Sequence, residues 1–543
     1  CARIGTACPA DGWPADLPTD RPIVYVDDDA APGGDGATRG TAYGAISDAT
    51  VLALEGAVIA VATGRYDEVV RVFAGMTIWG ACVSGTRLVT SAPSEAEAAI
   101  ALVEDGTGAR NLGIDAPTRD GIGAIGASDV SLDAIVVAGA RGVGLHVSGG
   151  SLTASDIVVH GTRERASDDA LGRGVNVEDG AHLALSRALV EDNRESGLFV
   201  NRAGTSVEAT DVVVRGTRER ASDGTFGHGI NVQAGAHLAL SRALVEDNRE
   251  SGLFVNGTGT SVEAADVVVR GTRERASDGT LGRGISVEAG AQLTLARALV
   301  EDNRASGLIA AGTGTSVEAT DVVVRGTRER ASDGTLGRGI DVEPGANLAL
   351  SRALVEDNRE HGLFIHGAGT SVEASDLIVR GTMPRASDGA AGTGLWAQQG
   401  ARLVVSGARI ERSHLVGIGS VNGASVEARE VVVRGVEPSR CVPGVCIGDS
   451  GGFGLVAMFG GALRATGFAV EGATLCGVLV GRDHPVGGLS ALDLARGVID
   501  RAAVGACVQV DGYDTMRLRE GVEYRDVGVP LQATSYELPD MLP

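Results

Sequence analysis

A block of 55 residues recurs almost verbatim through the middle of the chain. The string GTRERASD begins at Gly161, Gly216, Gly271 and Gly326, and a worn copy, GTMPRASD, begins at Gly381. A fixed period of this kind decides the architecture ahead of local propensity, because each block must stack on the next to bury its apolar side. The block consists of two unequal halves: Leu238 corresponds to Val262, 24 residues later, and to Leu293 after a further 31. Each half reads as short alternating runs of Val, Leu and Ala separated by Gly, Asn, Ser, Thr and Asp, with no apolar series at helical spacing. Half-blocks of this length predict an all-β fold, a parallel β-helix whose rungs rise by about 4.8 Å. Counting from about Val58 to about Leu518 gives roughly 16 to 18 coils, a rod on the order of 80 Å.

The charges explain why two rungs make one unit. Identical rungs would stack like charges about 4.8 Å apart, which is unfavourable. Here the signs alternate. One column runs Asp156, Arg187, Asp211, Arg242, Asp266, Arg297, Asp321, Arg352, Asp376. Four residues further along each rung a second runs Glu191, Arg215, Glu246, Arg270, Glu301, Arg325, Glu356, Arg380, out of phase with the first. A third column alternates Asn193, Thr217, Asn248, Thr272, Asn303, Thr327, Asn358 and Thr382. These amides and hydroxyls are expected to bond from rung to rung and to satisfy turn backbone, as corner posts rather than ligands.

With 81 Gly and 3% aromatic residues, the composition suits a thin coil with tight corners. The net charge is −23 and no Lys occurs, so all 47 basic residues are Arg; this acidity argues against a nucleic-acid partner. No apolar run is long enough to span a bilayer.

The seven cysteines are Cys1, Cys8, Cys82, Cys441, Cys446, Cys476 and Cys507, and none has zinc-ligand spacing with His. A chain opening on Cys1 predicts an exported lipoprotein with lipid on that residue, on the outer membrane, at the cell surface or outside the cell, and a membrane link through that anchor alone. The other six are expected to pair as Cys441 with Cys446, Cys476 with Cys507 and Cys8 with Cys82, protecting both ends.

The ends depart from the repeat. Residues 1–22 read as a Pro-rich tether and 23–56 as a cap with a helix from about Tyr43 to Leu54. The β-helix is expected over 57–525, with two-coil repeats over about 152–436, and a tail over 526–543. The series YVDDDA, GGDG, a short helix, then VIAVATGRYDEVV and MTIWGAC resembles the opening of secreted bacterial right-handed parallel β-helix proteins of the pectin lyase-like superfamily. Rungs such as SVEATDVVVRGT and LVEDNRESGLFV are similar to a lipoprotein branch of it. The resemblance implies a right-handed coil and export. It leaves activity open, because the superfamily holds lyases, hydrolases, epimerases and non-catalytic surface proteins.

Catalysis in such a fold needs a non-repeated set of carboxylates with a base, and the prominent Asp residues, Asp192 and Asp247 among them, recur in every block. The nine His read as scattered surface variation. No catalytic residue is therefore assigned. Two candidate sites remain. The loop RERASDGT, inserted on every second rung, predicts a stripe of arginines about 10 Å apart: Arg163 and Arg165, Arg218 and Arg220, Arg273 and Arg275, Arg328 and Arg330. Such a stripe suits the carboxylates or sulfates of an acidic polysaccharide or envelope glycan, unless the loop charges pair with one another. The acidic run with Asp27, Asp28, Asp29 and Asp35 offers calcium-type oxygen ligands, with Asp27, Asp29 and Asp35 the candidate set. The expectation is a non-catalytic rod for adhesion, glycan contact or envelope structure. The alternatives are a polysaccharide lyase or related enzyme, and a self-assembling surface protein.

Overall fold

The computed structural model describes residues 4–92, 98–439, 450–483 and 488–533. It forms two compact units: Cys1–Val255 with Gly259–Val267 and Arg275–Ser277, and Asn256–Thr258 with Val268–Glu274 and Asp278–Pro543.

Each unit is a parallel β-helix with two principal sheets. The first sheet has long strands, such as Ser151–His160, His182–Glu191 and Ser206–Arg215 in one unit and Ser316–Arg325 and Asn347–Glu356 in the other. The second has short ones, such as Arg173–Glu178, Ser196–Asn201 and His228–Gln233, or Arg338–Val342, His361–His366 and Thr393–Gln398. The register follows the two half-periods: Leu152 pairs with Leu183, 31 residues on, and Leu183 with Val207, a further 24. Inward columns such as Leu183, Leu185 and Val190, or Leu348, Leu350 and Val355, are almost fully buried. Each such side chain contributes about 1.5–3 kcal/mol, so a narrow aliphatic core repeated at every rung holds the coil without aromatic bulk.

The first charged column has a backbone feature that periodicity does not display. Asp156, Arg187, Asp211 and Arg242 lie in the left-handed region (φ 54, 50, 57 and 49°) in the middle of long strands. The ladder skips them, Ser155 facing Ser186 and then Ile157 facing Ala188. A left-handed non-glycine residue costs about 1–2 kcal/mol, and this bend turns the charged side chains outward. Arg187 donates to both oxygens of Asp156 (2.8 and 2.7 Å), and Arg352 does the same to Asp321 (2.7 and 2.8 Å). In the second column Arg215 lies 2.6 Å from Glu191 and 3.8 Å from Glu246. The alternation of sign therefore pairs charges between rungs.

The Asn and Thr posts are wholly buried. Thr162 N donates to Asn193 Oδ1 (2.9 Å), whose Nδ2 donates to Val159 O (3.3 Å). In the second unit Asn358 ties Thr327 N (2.9 Å) and Val324 O (3.1 Å) in the same way. At the neighbouring corner Gly216 has φ 67°, and a Cβ there would stand 2.6 Å from Asp192 Oδ1, so the Asp of one rung requires Gly on the next.

Both ends are more ordered than the sequence pattern suggests. Ile23–Val26 pairs in parallel with Val58–Val61, so rung structure begins inside the expected cap. The helix spans only Ile46–Leu52; the Glu68 carboxylate accepts from Ile46 N (2.7 Å) and Ser47 N (2.8 Å) at its start. Residues ahead of it are packed, with Trp13 edge-on to Tyr25 at 5.4 Å and Arg21 donating to Gly56 O at 2.7 Å. At the far end Val529–Ala533 pairs with Val504–Val508. Disulfides join Cys8 to Cys82 and Cys476 to Cys507. Cys1, Cys441 and Cys446 lie outside the described residues. Among the described residues no helix is long and apolar enough to cross a membrane.

Candidate functional site

The RERASDGT loops separate their two arginines by role. The second one is paired: Arg165 with Asp168 (2.6 Å), Arg220 with Asp223 (2.6 Å), Arg330 with Asp333 (2.5 Å) and Arg275 with Glu250 (2.9 Å). The Glu between the arginines is buried and fastens one loop to the next. Glu164 accepts from Ala221 N (2.5 Å) and Glu219 from Ala276 N (2.6 Å) in the first unit, and Glu274 from Ala331 N (2.6 Å) in the second. The first arginine is left over. Arg163 and Arg218 on one unit, and Arg273 and Arg328 on the other, are exposed and make no ion pair among the described residues.

Against the outward face of the short-strand sheet lies a buried polar layer. In the first unit the Arg173 guanidinium sits 3.7 Å from the Phe199 ring centroid and 2.6 Å from Glu195, which Arg220 approaches at 3.5 Å. One block later His228 stacks on Phe254 (4.7 Å) and lies 3.3 Å from Glu250. Burial pushes the Glu250 carboxyl up to about 7, with Glu219 adding to the effect and Arg275 opposing it. In the second unit Arg338 covers Phe364 at 3.9 Å and bonds Glu360 and Asp341, both at 2.9 Å. Burial opposes ionisation of Glu360, but its charged neighbours, Arg338 and Arg385 among them, outweigh it and hold the group below its ordinary value. His361 stacks on Phe364 at 4.6 Å, and burial pulls its pKa down to about 3.

The reading of the histidines as surface variation is therefore corrected for this face: His228 is 6% exposed and His361 8%. By strand alternation both would fall on the side of Ile230 and Leu363, yet they stack on the outward rings of Phe254 and Phe364. The paired loop arginines Arg220, Arg275 and Arg385 reach back to their carboxylate neighbours, a tertiary effect that periodicity does not carry.

One cluster on this face occurs once. Ligand atoms of Asp341, Glu343 and His366 all lie within 4.8 Å of one another. Asp341 is 2% exposed; its Oδ2 accepts from Arg338 and its Oδ1 has no hydrogen-bond partner. This corrects the expectation that only repeated carboxylates are present. The signal was in the blocks themselves, since the corresponding residues are Asn176, Glu178 and Asn201, then Asn231, Gln233 and Asn256, then Ser286, Glu288 and Ala311.

The N-terminal acidic run is arranged differently from the candidate set. Asp27, Asp28 and Asp29 approach one another, whereas Asp35 accepts from Thr41 Oγ1 (2.6 Å) and Ala37 N (3.0 Å). Asp28 and Asp27 also hold backbone, of Arg65 (2.8 Å) and Asp29 (3.2 Å). On the long-strand sheet of the first unit, Ser131, Thr153, Ala184 and Glu208 line a shallow groove of ≈ 530 Å³.

Residues 98–269 match the family model described as "Right handed beta helix region". The fold is a right-handed parallel β-helix. Among solved structures, the chain is similar to pectate lyase Pel9A, with 15% identity over 51% of this chain and 76% of that one, at a TM-score of 0.42. The β-helix also resembles the Vag8 and C1 inhibitor complex (14%, 87% and 94%, TM-score 0.35) and the A-module of the mannuronan C-5 epimerase AlgE6 of Azotobacter vinelandii (12%, 90% and 93%, TM-score 0.19). A search of curated proteins finds no match.

Proposed function

We propose that this β-helix is a non-catalytic, exported surface protein that holds an acidic polysaccharide along its loops. The observation that carries the reading is the division of labour within each loop. Arg165, Arg220 and Arg330 are bound to Asp168, Asp223 and Asp333, while Arg163 and Arg218, or Arg273 and Arg328 on the other unit, project unpaired at successive blocks. Two guanidinium groups about 10 Å apart on one unit suit successive carboxylates or sulfates of an extended chain, each contact weak and the sum effective. Export is part of the proposal and is supported by the disulfides Cys8–Cys82 and Cys476–Cys507, which belong to an oxidising compartment. A lipid on Cys1 would complete it.

A second reading, a carbohydrate-active enzyme, draws on a non-repeated cluster within the coil, Asp341 with Glu343 and His366. Incubation with polygalacturonate, alginate and neutral glucans separates the two. The binding reading expects no unsaturated products and no new reducing ends with any polymer, and release of either from one of them would overturn it.

A further inference from the structure

We propose that Asp341, Glu343 and His366 bind a divalent metal ion of borderline softness, with Zn²⁺ the best fit and Co²⁺ a spectroscopic substitute. The proposal stands apart from the polysaccharide reading, since none of the loop arginines takes part.

Three observations point to a cation. First, the three side chains converge: an imidazole nitrogen and two carboxylate oxygens lie within 4.8 Å of one another, the span of donors around one ion. Second, Asp341 is 2% exposed and its Oδ1 meets no donor, although an unpaired buried carboxylate oxygen is costly. Its other oxygen is held at 2.9 Å by Arg338, which also bonds Glu360 at 2.9 Å, so the carboxylate is oriented from behind by a fixed partner. Third, the backbone on both sides is set. Phe364 faces Asp341 in the ladder and Ile365 faces Val342, which brings His366 over Glu343 on the adjacent rung. Glu343 N donates to Ala310 O (2.8 Å), Glu343 O accepts from Ala346 N (3.2 Å) and Thr370 Oγ1 (3.1 Å), and Pro344 follows directly.

The donor set selects the metal. One imidazole with two carboxylates suits Zn²⁺, Co²⁺ or Ni²⁺, whereas Ca²⁺ and Mg²⁺ favour oxygen alone. Three protein ligands leave a position for water or an anion.

The repeat supplies its own controls. The second block carries Asn231, Gln233 and Asn256 at the three positions, so Asp341→Asn, Glu343→Gln and His366→Asn each install a residue that the same scaffold holds elsewhere. The experiment is calorimetric titration of the untagged, chelator-treated full chain with Zn²⁺, together with Co²⁺ absorption. The expected result is binding of one Zn²⁺ and a Co²⁺ d–d band, with affinity lowered by about tenfold or more in each variant while the metal-free melting temperature stays near that of the parent. Affinity unchanged in both His366→Asn and Asp341→Asn would overturn the site. Binding of Ca²⁺ as tight as that of Zn²⁺, and indifferent to His366→Asn, would overturn the metal assignment.

Discussion

Arg187 donates two hydrogen bonds, of 2.8 and 2.7 Å, to the carboxylate of Asp156, which lies 31 residues earlier and directly across one rung step. Both residues occupy the left-handed region, so the same backbone bend that interrupts the strand aims the two side chains at each other. The pair holds the Asp156 carboxyl below its ordinary range, chiefly through those hydrogen bonds. Repeating the arrangement with alternating sign is what allows near-identical blocks to stack.

Reversing one charge should therefore cost more than deleting it. Arg242→Asp would set three aspartates, 211, 242 and 266, in one column and is expected to lower the melting temperature of the β-helix. Arg242→Ala should cost less. Thermal unfolding in low and high salt checks this, and the penalty of the reversal should shrink as salt screens the exposed charges. Equal penalties at both ionic strengths would contradict it.

The buried amide posts should matter more than the exposed pairs. Asn248 Oδ1 accepts from Thr217 N (2.9 Å) and its Nδ2 donates to Val214 O (3.2 Å), both out of reach of water. Asn248→Ala strands a buried donor and a buried acceptor and is expected to cost about 2–4 kcal/mol. Urea unfolding of the variant against Arg242→Ala ranks the two effects; a smaller loss for Asn248→Ala would contradict the prediction.

Glu250 predicts a pH dependence with a defined sign. Its carboxyl is raised from 4.5 to about 7, first by burial and then by Glu219, with Arg275 opposing and His228 at 3.3 Å. A raised folded-state pKa contributes stability that is fully present below the unfolded value and lost as pH rises through the folded one. The melting temperature of the wild type relative to Glu250→Gln should accordingly fall between pH 4.5 and about 7. Parallel curves for the two proteins would contradict the assignment.

Much of the fold is legible in the sequence because a rung is a strict constraint. Leu183 and Val207 must both be apolar and must recur at 24 and 31 residues, since both fill one narrow core. Asn193 is legible for the same reason, as one corner needs one amide on every second rung. His361 and Asp341 are not, because alternation puts Asp341 outside the coil and His361 on the side of Leu363, and says nothing of neighbours such as Arg338 and Phe364 that pack against them. The roles of Arg163 and Arg165 are likewise indistinguishable in the string RER. They separate only when Asp168 folds back onto Arg165 and leaves Arg163 in solvent. The sign that pointed past the core was the comparison of one block with another, where Asn176, Asn231 and Ser286 give way to Asp341.

The central claim, that unpaired loop arginines hold an acidic polysaccharide, is tested most directly by retention on immobilised polygalacturonate and heparin. The variants replace Arg163, Arg218, Arg273 and Arg328 by Ser, singly and then together. The account predicts salt-sensitive retention of the wild type that declines stepwise with each replacement and vanishes in the fourfold variant, while Arg165→Ser retains affinity and loses stability instead. Retention unchanged in the fourfold variant, or no retention of the wild type on either polymer, would contradict it.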